Sequence, residues 1–246
     1  MKKNPWYIVC LLVVTVAALA DSGWAICPTN FKVIPADGTS GGFVDTVAAG
    51  STVWYAQAFV KGHSYSVDAW DPFAPFSTYL TLALYDAPCS TALTTTDTSS
   101  FEPFLYERIS WIQTTVNNLY FALANTDSSA HSYHIRVTDT TLVNPRWSTN
   151  PAVWRTQYAF VSVTDKNITG TLTVTDHTGT IQATQSILVP AGGEYVYTIT
   201  SPSGTYGFST FAFVGPPGAV RADAYLINTT TGLVVPSTFN PISEPR

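Results

Sequence analysis

The chain has 246 residues, of which 11% are charged, 46% hydrophobic and 13% aromatic, with 11 Lys and Arg against 16 Asp and Glu. An average soluble domain carries about 25% charge, so three classes drop out. A net charge of -5 with no basic cluster excludes a nucleic-acid binder, the apolar content excludes disorder, and abundant Thr, Ser, Val and Tyr exclude long helices.

Residues 1–25 read as an export signal. Lys2 and Lys3 precede an apolar run from Tyr7 to Ala20, and small residues at Ala18, Ala20, Gly23 and Ala25 offer cleavage after Ala20 or Ala25. The run is shorter than the roughly 20 residues a membrane helix needs, so a retained anchor is the weaker alternative and no membrane span is expected after signal removal. The expected destination is secreted or otherwise extracytoplasmic. Cys10 leaves with the signal, and Cys27 and Cys89 remain. An even pair in an exported chain points to a disulfide, with two unpaired thiols as the alternative. Neither lies in a CxxC or beside a His, which disfavours zinc and redox chemistry.

From Gly41 to Asp139, short segments alternate polar and apolar residues and are bounded by Gly, Pro, Asp, Asn or Ser, the signature of strands. Strands are predicted at Val53–Val60, Ser64–Trp70, Tyr79–Tyr85, Glu107–Gln113, Leu119–Asn125 and Ser132–Thr138. In Ser64–Trp70, Tyr65, Val67 and Ala69 share one face, expected to be dry, while Ser64, Ser66 and Asp68 share the other, expected to be wet. Asn144-Pro145 and Asn150-Pro151 make residues 142–155 a linker or an extended crossing strand. A second series follows at Gln157–Thr164, Gly170–Thr175, Ile181–Val189, Glu194–Thr200, Tyr206–Val214 and Ala219–Asn228, with turns at Asp176–Gly179 and Pro190–Gly193. The expected fold is all-β: two antiparallel β-sandwiches of jelly-roll or immunoglobulin-like kind, at 26–141 and 156–235, followed by an unpaired tail at 236–246. One larger barrel is the alternative.

The segments Ala49–Tyr55, Gly62–Val67, Leu82–Asp86, Leu119–Phe121 and Tyr133–Val137 carry a resemblance in order and spacing. Residues 43–139 resemble the bacterial pre-peptidase C-terminal domain, a jelly-roll sandwich attached to exported peptidases. The resemblance implies a non-catalytic module that in some members binds calcium or a polymeric substrate. Here no peptidase domain precedes it. The second series resembles no family that can be named.

Candidate chemistry is sparse. Gly38–Gly42 superficially resembles a serine-protease nucleophile loop, but a Ser nucleophile needs a His base held by a carboxylate, and in those proteases both precede the Ser. The first His here is His63. His131 and His134 form an HxxH pair, yet on a strand residues three apart face opposite ways and cannot share an ion. His63 and His177 sit in turns. Asp68, Asp71 and Asp86, with Asp37 and Asp45 near the start of the first series, form the candidate metal set. Calcium is the cation such carboxylates would hold, although no EF-hand spacing is present and turn roles are the simpler reading. Glu102, Glu107, Glu194 and Glu244 give no recognisable glycosidase pair. Trp54 and Trp111 are expected in the core, whereas Trp147 and Trp154 flank the linker and are expected to pack the two sandwiches together.

These features point to a non-catalytic binding module with no cofactor. Its partner would be an extracellular polymer, a glycan or a protein surface. A structural or adhesive subunit associating through strand edges and a divergent hydrolase are the rival readings.

Overall fold

The computed structural model describes residues 27–34, 42–73, 79–86, 89, 92–95, 97–98, 107–116, 118–150, 153–199 and 205–242. The export signal, the loop around Ser40, and Glu102 and Glu244 lie outside them. The described chain is all-β, with strands and turns and no helix.

The first half holds β1 (Lys32–Val33), β2 (Phe43–Val47), β3 (Thr52–Ala58), β4 (Ser64–Trp70), β5 (Leu80–Tyr85), β6 (Ala92–Thr95), β7 (Asp97–Thr98), β8 (Glu107–Ile112), β9 (Asn118–Asn125) and β10 (His131–Asp139). Two five-stranded sheets form, ordered β1-β3-β9-β5-β6 and β2-β10-β4-β8-β7. Apart from the short strands β1, which runs parallel to β3, β6, which pairs with β5, and β7, the strands taken in chain order alternate between layers in the jelly-roll pattern. Tyr55, Leu82, Phe121, Leu123, Tyr133, Ile135 and Val137 are fully buried between the layers. They lie on alternate positions, but β4 corrects the expectation of a wet outer face: Ser64, Ser66 and Asp68 are buried too, Asp68 beneath Arg108 and Arg136.

The second half holds β11 (Leu142–Ser148), β12 (Trp154–Ser162), β13 (Ile168–Asp176), β14 (Ile181–Val189), β15 (Glu194–Ile199), β16 (Tyr206–Val214), β17 (Val220–Asn228), β18 (Val234–Thr238) and β19 (Asn240–Pro241). Its sheets run β14-β13-β16-β11-β19 and β15-β12-β17-β18. They enclose a second cluster built on Tyr158, Phe160, Ile168, Leu172, Val174, Phe211 and Phe213. Phe160 sits at its centre, 4.4 Å from Phe211 and 5.8 Å from Phe239 between ring centroids.

Of the two forms expected for residues 142–155, a linker or an extended crossing strand, the structure has the strand: β11 is internal and paired with β16 and β19. Pro145 is tolerated there because the register shifts between Asn144 and Trp147, and the Asn144 side chain accepts the Arg146 N–H at 2.9 Å across the proline. The segment expected to be an unpaired tail supplies β18 and β19. Pro236 fits β18 because β18 is an edge strand, where a missing N–H costs no ladder bond.

The tryptophans also depart from expectation. Trp147 is fully buried in the second cluster, its indole N–H donating to Thr175 O at 2.8 Å. Gly207 makes room beside it, since a Cβ there would lie 2.0 Å from Thr175 O. Trp54, on the opposite face of β3 from buried Tyr55, is only half-buried and packs against Tyr85. Trp111 is half-buried and packs onto the first cluster. Trp154 is half-buried within β12.

Cys27 and Cys89 are bonded across 62 residues, with Cα atoms 5.0 Å apart. The bond fixes the segment leading into β1 to the turn after β5. Such a closure is worth roughly 4 kcal/mol in the chain-entropy account.

Candidate functional site

Polar and charged side chains in the first half fall into four groups. One row crosses the second sheet where Arg136, Asp68 and Arg108 stand in register on β10, β4 and β8. Asp68 is fully buried and accepts hydrogen bonds from Arg108 Nε and from Arg136 Nη2, the latter at 2.8 Å. Arg136 also lies over the Trp70 ring at 5.5 Å, and Trp70 stacks on His134. A buried carboxylate between two guanidiniums is neutralised in place.

Asp71 accepts the Phe73 N–H at 2.7 Å and the Tyr79 hydroxyl, and lies 3.3 Å from His131 Nδ1. The other nitrogen, His131 Nε2, meets Asp127 at 2.7 Å, and Tyr79 stacks on the imidazole at 3.9 Å. The His131 hydrogen bond holds the Asp127 carboxyl below the usual carboxylate range. His131 and His134 therefore meet different partners on opposite faces of β10. A third group joins Tyr55, Tyr133 and Asp45, with Lys32 paired to Asp45. Burial pushes Asp45 up, but Lys32 and the Thr46 N–H outweigh it and hold the carboxyl low. Burial raises both phenols well above their ordinary value.

The candidate metal set is thus dispersed. Asp68 is occupied by arginines, Asp71 by Tyr79 and His131, and Asp86 lines a separate hollow near Trp111. Among the described residues no three His, Cys, Asp or Glu side chains are placed to hold a metal ion.

The fourth group lies where the halves meet. His63 Nδ1 is 2.7 Å from Asp139 Oδ2, and Asp139 Oδ1 accepts the Thr141 N–H at 3.0 Å. Burial raises the nearby Tyr65 phenol to about 12, the Val60 N–H opposing and the Asp139 charge adding to the rise. Thr140 and Thr141 bond back to Ser64, which fixes the end of β10 against the start of β4. Asp139 then opens onto a cleft of about 420 Å³ at the seam. Leu142, Val220, Phe239, Pro217 and Pro241 are among its apolar lining, while Thr138, Asp139, Thr140, Arg221, Asp223 and Thr238 are its polar lining. Arg221 and Thr238 are exposed.

The sequence did not single out this cleft, because its lining comes from β10, β11, β17, β18 and β19. One signal was legible. Thr138–Thr141 is a polar run between two apolar strands, and all four residues are buried. A second hollow of about 400 Å³ holds Trp111, Ser110, Gln113, Thr114 and Val214 among its lining residues. In the second half His177 stacks on Tyr206, and Asp176 accepts from Thr178, the Thr180 N–H and Gln182. Those bonds, the Thr178 hydroxyl foremost, lower the Asp176 pKa to about 2.

No protein-family model matches the chain, and no curated protein matches it. Among solved structures, a β-glucuronidase from Bacteroides uniformis is 11% identical, with 77% of this chain and 26% of that one covered and a TM-score of 0.19. The N-terminal CBM22-1–CBM22-2 tandem domain of Xyn10C from Paenibacillus barcinonensis is 10% identical, with 84% and 94% covered and a TM-score of 0.21. A "putative secreted protein" from Parabacteroides distasonis is 8% identical, with 82% and 90% covered and a TM-score of 0.24. The chain spans about a quarter of the length of the glucuronidase it matches.

Proposed function

We propose that this chain is an exported, non-catalytic β-sandwich protein that binds an extended segment of an extracellular protein. The segment inserts an apolar side chain into the seam cleft. The lining of that cleft carries the reading: apolar residues to receive the side chain, with Arg221 and Asp223 placed to meet the main chain or charges on either side of it. Phe239, the one ring in the lining, is buried and offers little face for a sugar to stack on. The Cys27–Cys89 bond supports export, since such bonds persist in oxidising compartments. The non-catalytic reading is supported by His131, whose two nitrogens both face carboxylates, and by the ring stacking of His134 and His177. The likeness of residues 43–139 to pre-peptidase C-terminal domains belongs to the same proposal.

The test is an array of extended peptides that differ at one central position, Ala, Leu or Phe, printed beside a glycan panel. Leu and Phe peptides are expected to bind at least about tenfold more tightly than the Ala peptide, as burial of such a side chain is worth about 1.5–3 kcal/mol. T238W, made at an exposed position on the lining, is expected to abolish binding without changing the melting temperature. Glycan binding that T238W leaves intact would move the ligand to the hollow beside Trp111 and refute the peptide reading.

A further inference from the structure

The edge strands differ in how they are protected. An open edge offers unpaired main-chain groups to other strands, and proteins blunt it with charge, proline or brevity. β1 carries Lys32 and β2 carries Asp45, β15 begins with Glu194, and β18 contains Pro236. β6, β7 and β19 have four residues or fewer. β14 has nine residues, Ile181–Val189, with no charge and no proline. It pairs on one side with β13 and ends its sheet on the other. Ile181 and Leu188 are 62% and 52% exposed. The edge satisfies itself in part, with Gln185 Nε2 donating to the Ser186 carbonyl at 2.8 Å.

We infer that the β14 edge is a self-association surface, on which a second copy of this chain adds its own β14 antiparallel about a two-fold axis at Gln185. The sequence of the strand is self-complementary in that register at four of its five distinct pairings. Thr184 then lies opposite Ser186, Gln185 opposite Gln185, small Ala183 opposite large Ile187, and Ile181 opposite Val189. Thr184, Gln185 and Ser186 each meet a hydrogen-bonding group and Ile181, Ala183, Ile187 and Val189 each meet an apolar one, while Gln182, whose amide donates to Asp176 in its own chain, lies opposite Leu188. Ala183, Ile187 and Val189 face the second core, so the pairing continues that core layer from one copy into the next. The two-fold uses both β14 edges in one closed contact. Charge favours this occupant: two copies of a chain with net charge -5 repel least where the joined strands carry no charge at all. The surface is separate from the seam cleft, so neither proposal depends on the other.

Thr184 and Ser186 are exposed, so changing them leaves the single chain's fold intact. Sedimentation across a concentration series is expected to show wild type passing from one to two copies. T184K/S186K sets like charges opposite each other twice and is expected to weaken self-association by at least about tenfold, with an unchanged melting temperature. T184K/S186E sets Lys opposite Glu twice in the stated register and is expected to restore it. A wild type that stays single at every concentration overturns the inference. So does a pair that T184K/S186K leaves intact, or a T184K/S186E protein that associates no better than T184K/S186K.

Discussion

The two halves use the same architecture and stabilise it differently. The half built on β1–β10 places charge within its structure: Asp68 between Arg108 and Arg136, His131 between Asp71 and Asp127, and Lys32 on Asp45, with a disulfide tying its first segment to the turn after β5. The half built on β11–β19 buries rings. Its buried polar tips each find one neutral partner, Tyr158 on Ser209 and Trp147 on Thr175, and its paired carboxylate Asp176 sits at the end of β13, where it caps the following turn. Buried charge pairs add little net stability but are costly to break singly, and they reward one strand register over its neighbours. Ring burial stabilises without that directional constraint. The first half should therefore respond to the loss of single partners, the second to the loss of volume.

The largest single effect expected is Phe160→Ala. A fully buried phenyl lost from the centre of the second cluster costs up to about 5 kcal/mol, and hydrogen exchange should accelerate through β12, β16 and β17 while β4 and β10 keep their protection. Equal acceleration in both halves would erase the distinction between them. Replacing both Cys27 and Cys89 by Ser should cost roughly 4 kcal/mol, read as a lower denaturation midpoint in the first half alone. Asp68→Ala, which strands the buried Arg108, should cost about 3 kcal/mol, and Asp68→Ala with Arg108→Met should recover much of it. A double variant no better than the single would show that the charge row does not set the register.

The smallest effect expected is pH-dependent and belongs to the second half. Asp176 is held at about 2 in the folded protein, below the roughly 3.9 of an unfolded Asp. Its contribution is complete above the unfolded value and is lost as pH falls from about 4 through 2. Melting curves of wild type should steepen in that window, and those of Asp176→Asn should steepen less. Identical profiles would remove Asp176 from the account.

Strands with clean alternation were legible from sequence. Ser64–Trp70, Ile181–Val189 and Tyr206–Val214 begin and end where their patterns do. Proline hid the others. Asn144-Pro145 reads as a break, yet the bulge in β11 absorbs it, and Pro236 reads as tail, yet an edge accepts it. The Asp68, Asp71 and Asp86 set looked like one group because sequence spacing says nothing of which face or which end of a strand each carboxylate occupies. The cleft was hidden for a related reason: Asp139, Arg221 and Thr238 come together only when β10, β17 and β18 meet at the seam.

The central claim is that the ligand enters that seam, and hydrogen exchange with and without a saturating Leu-bearing peptide from the array tests it most directly. Slowed exchange confined to 138–142, 217–223 and 238–241 is the predicted result. Slowing at 110–115, or nowhere, would contradict it.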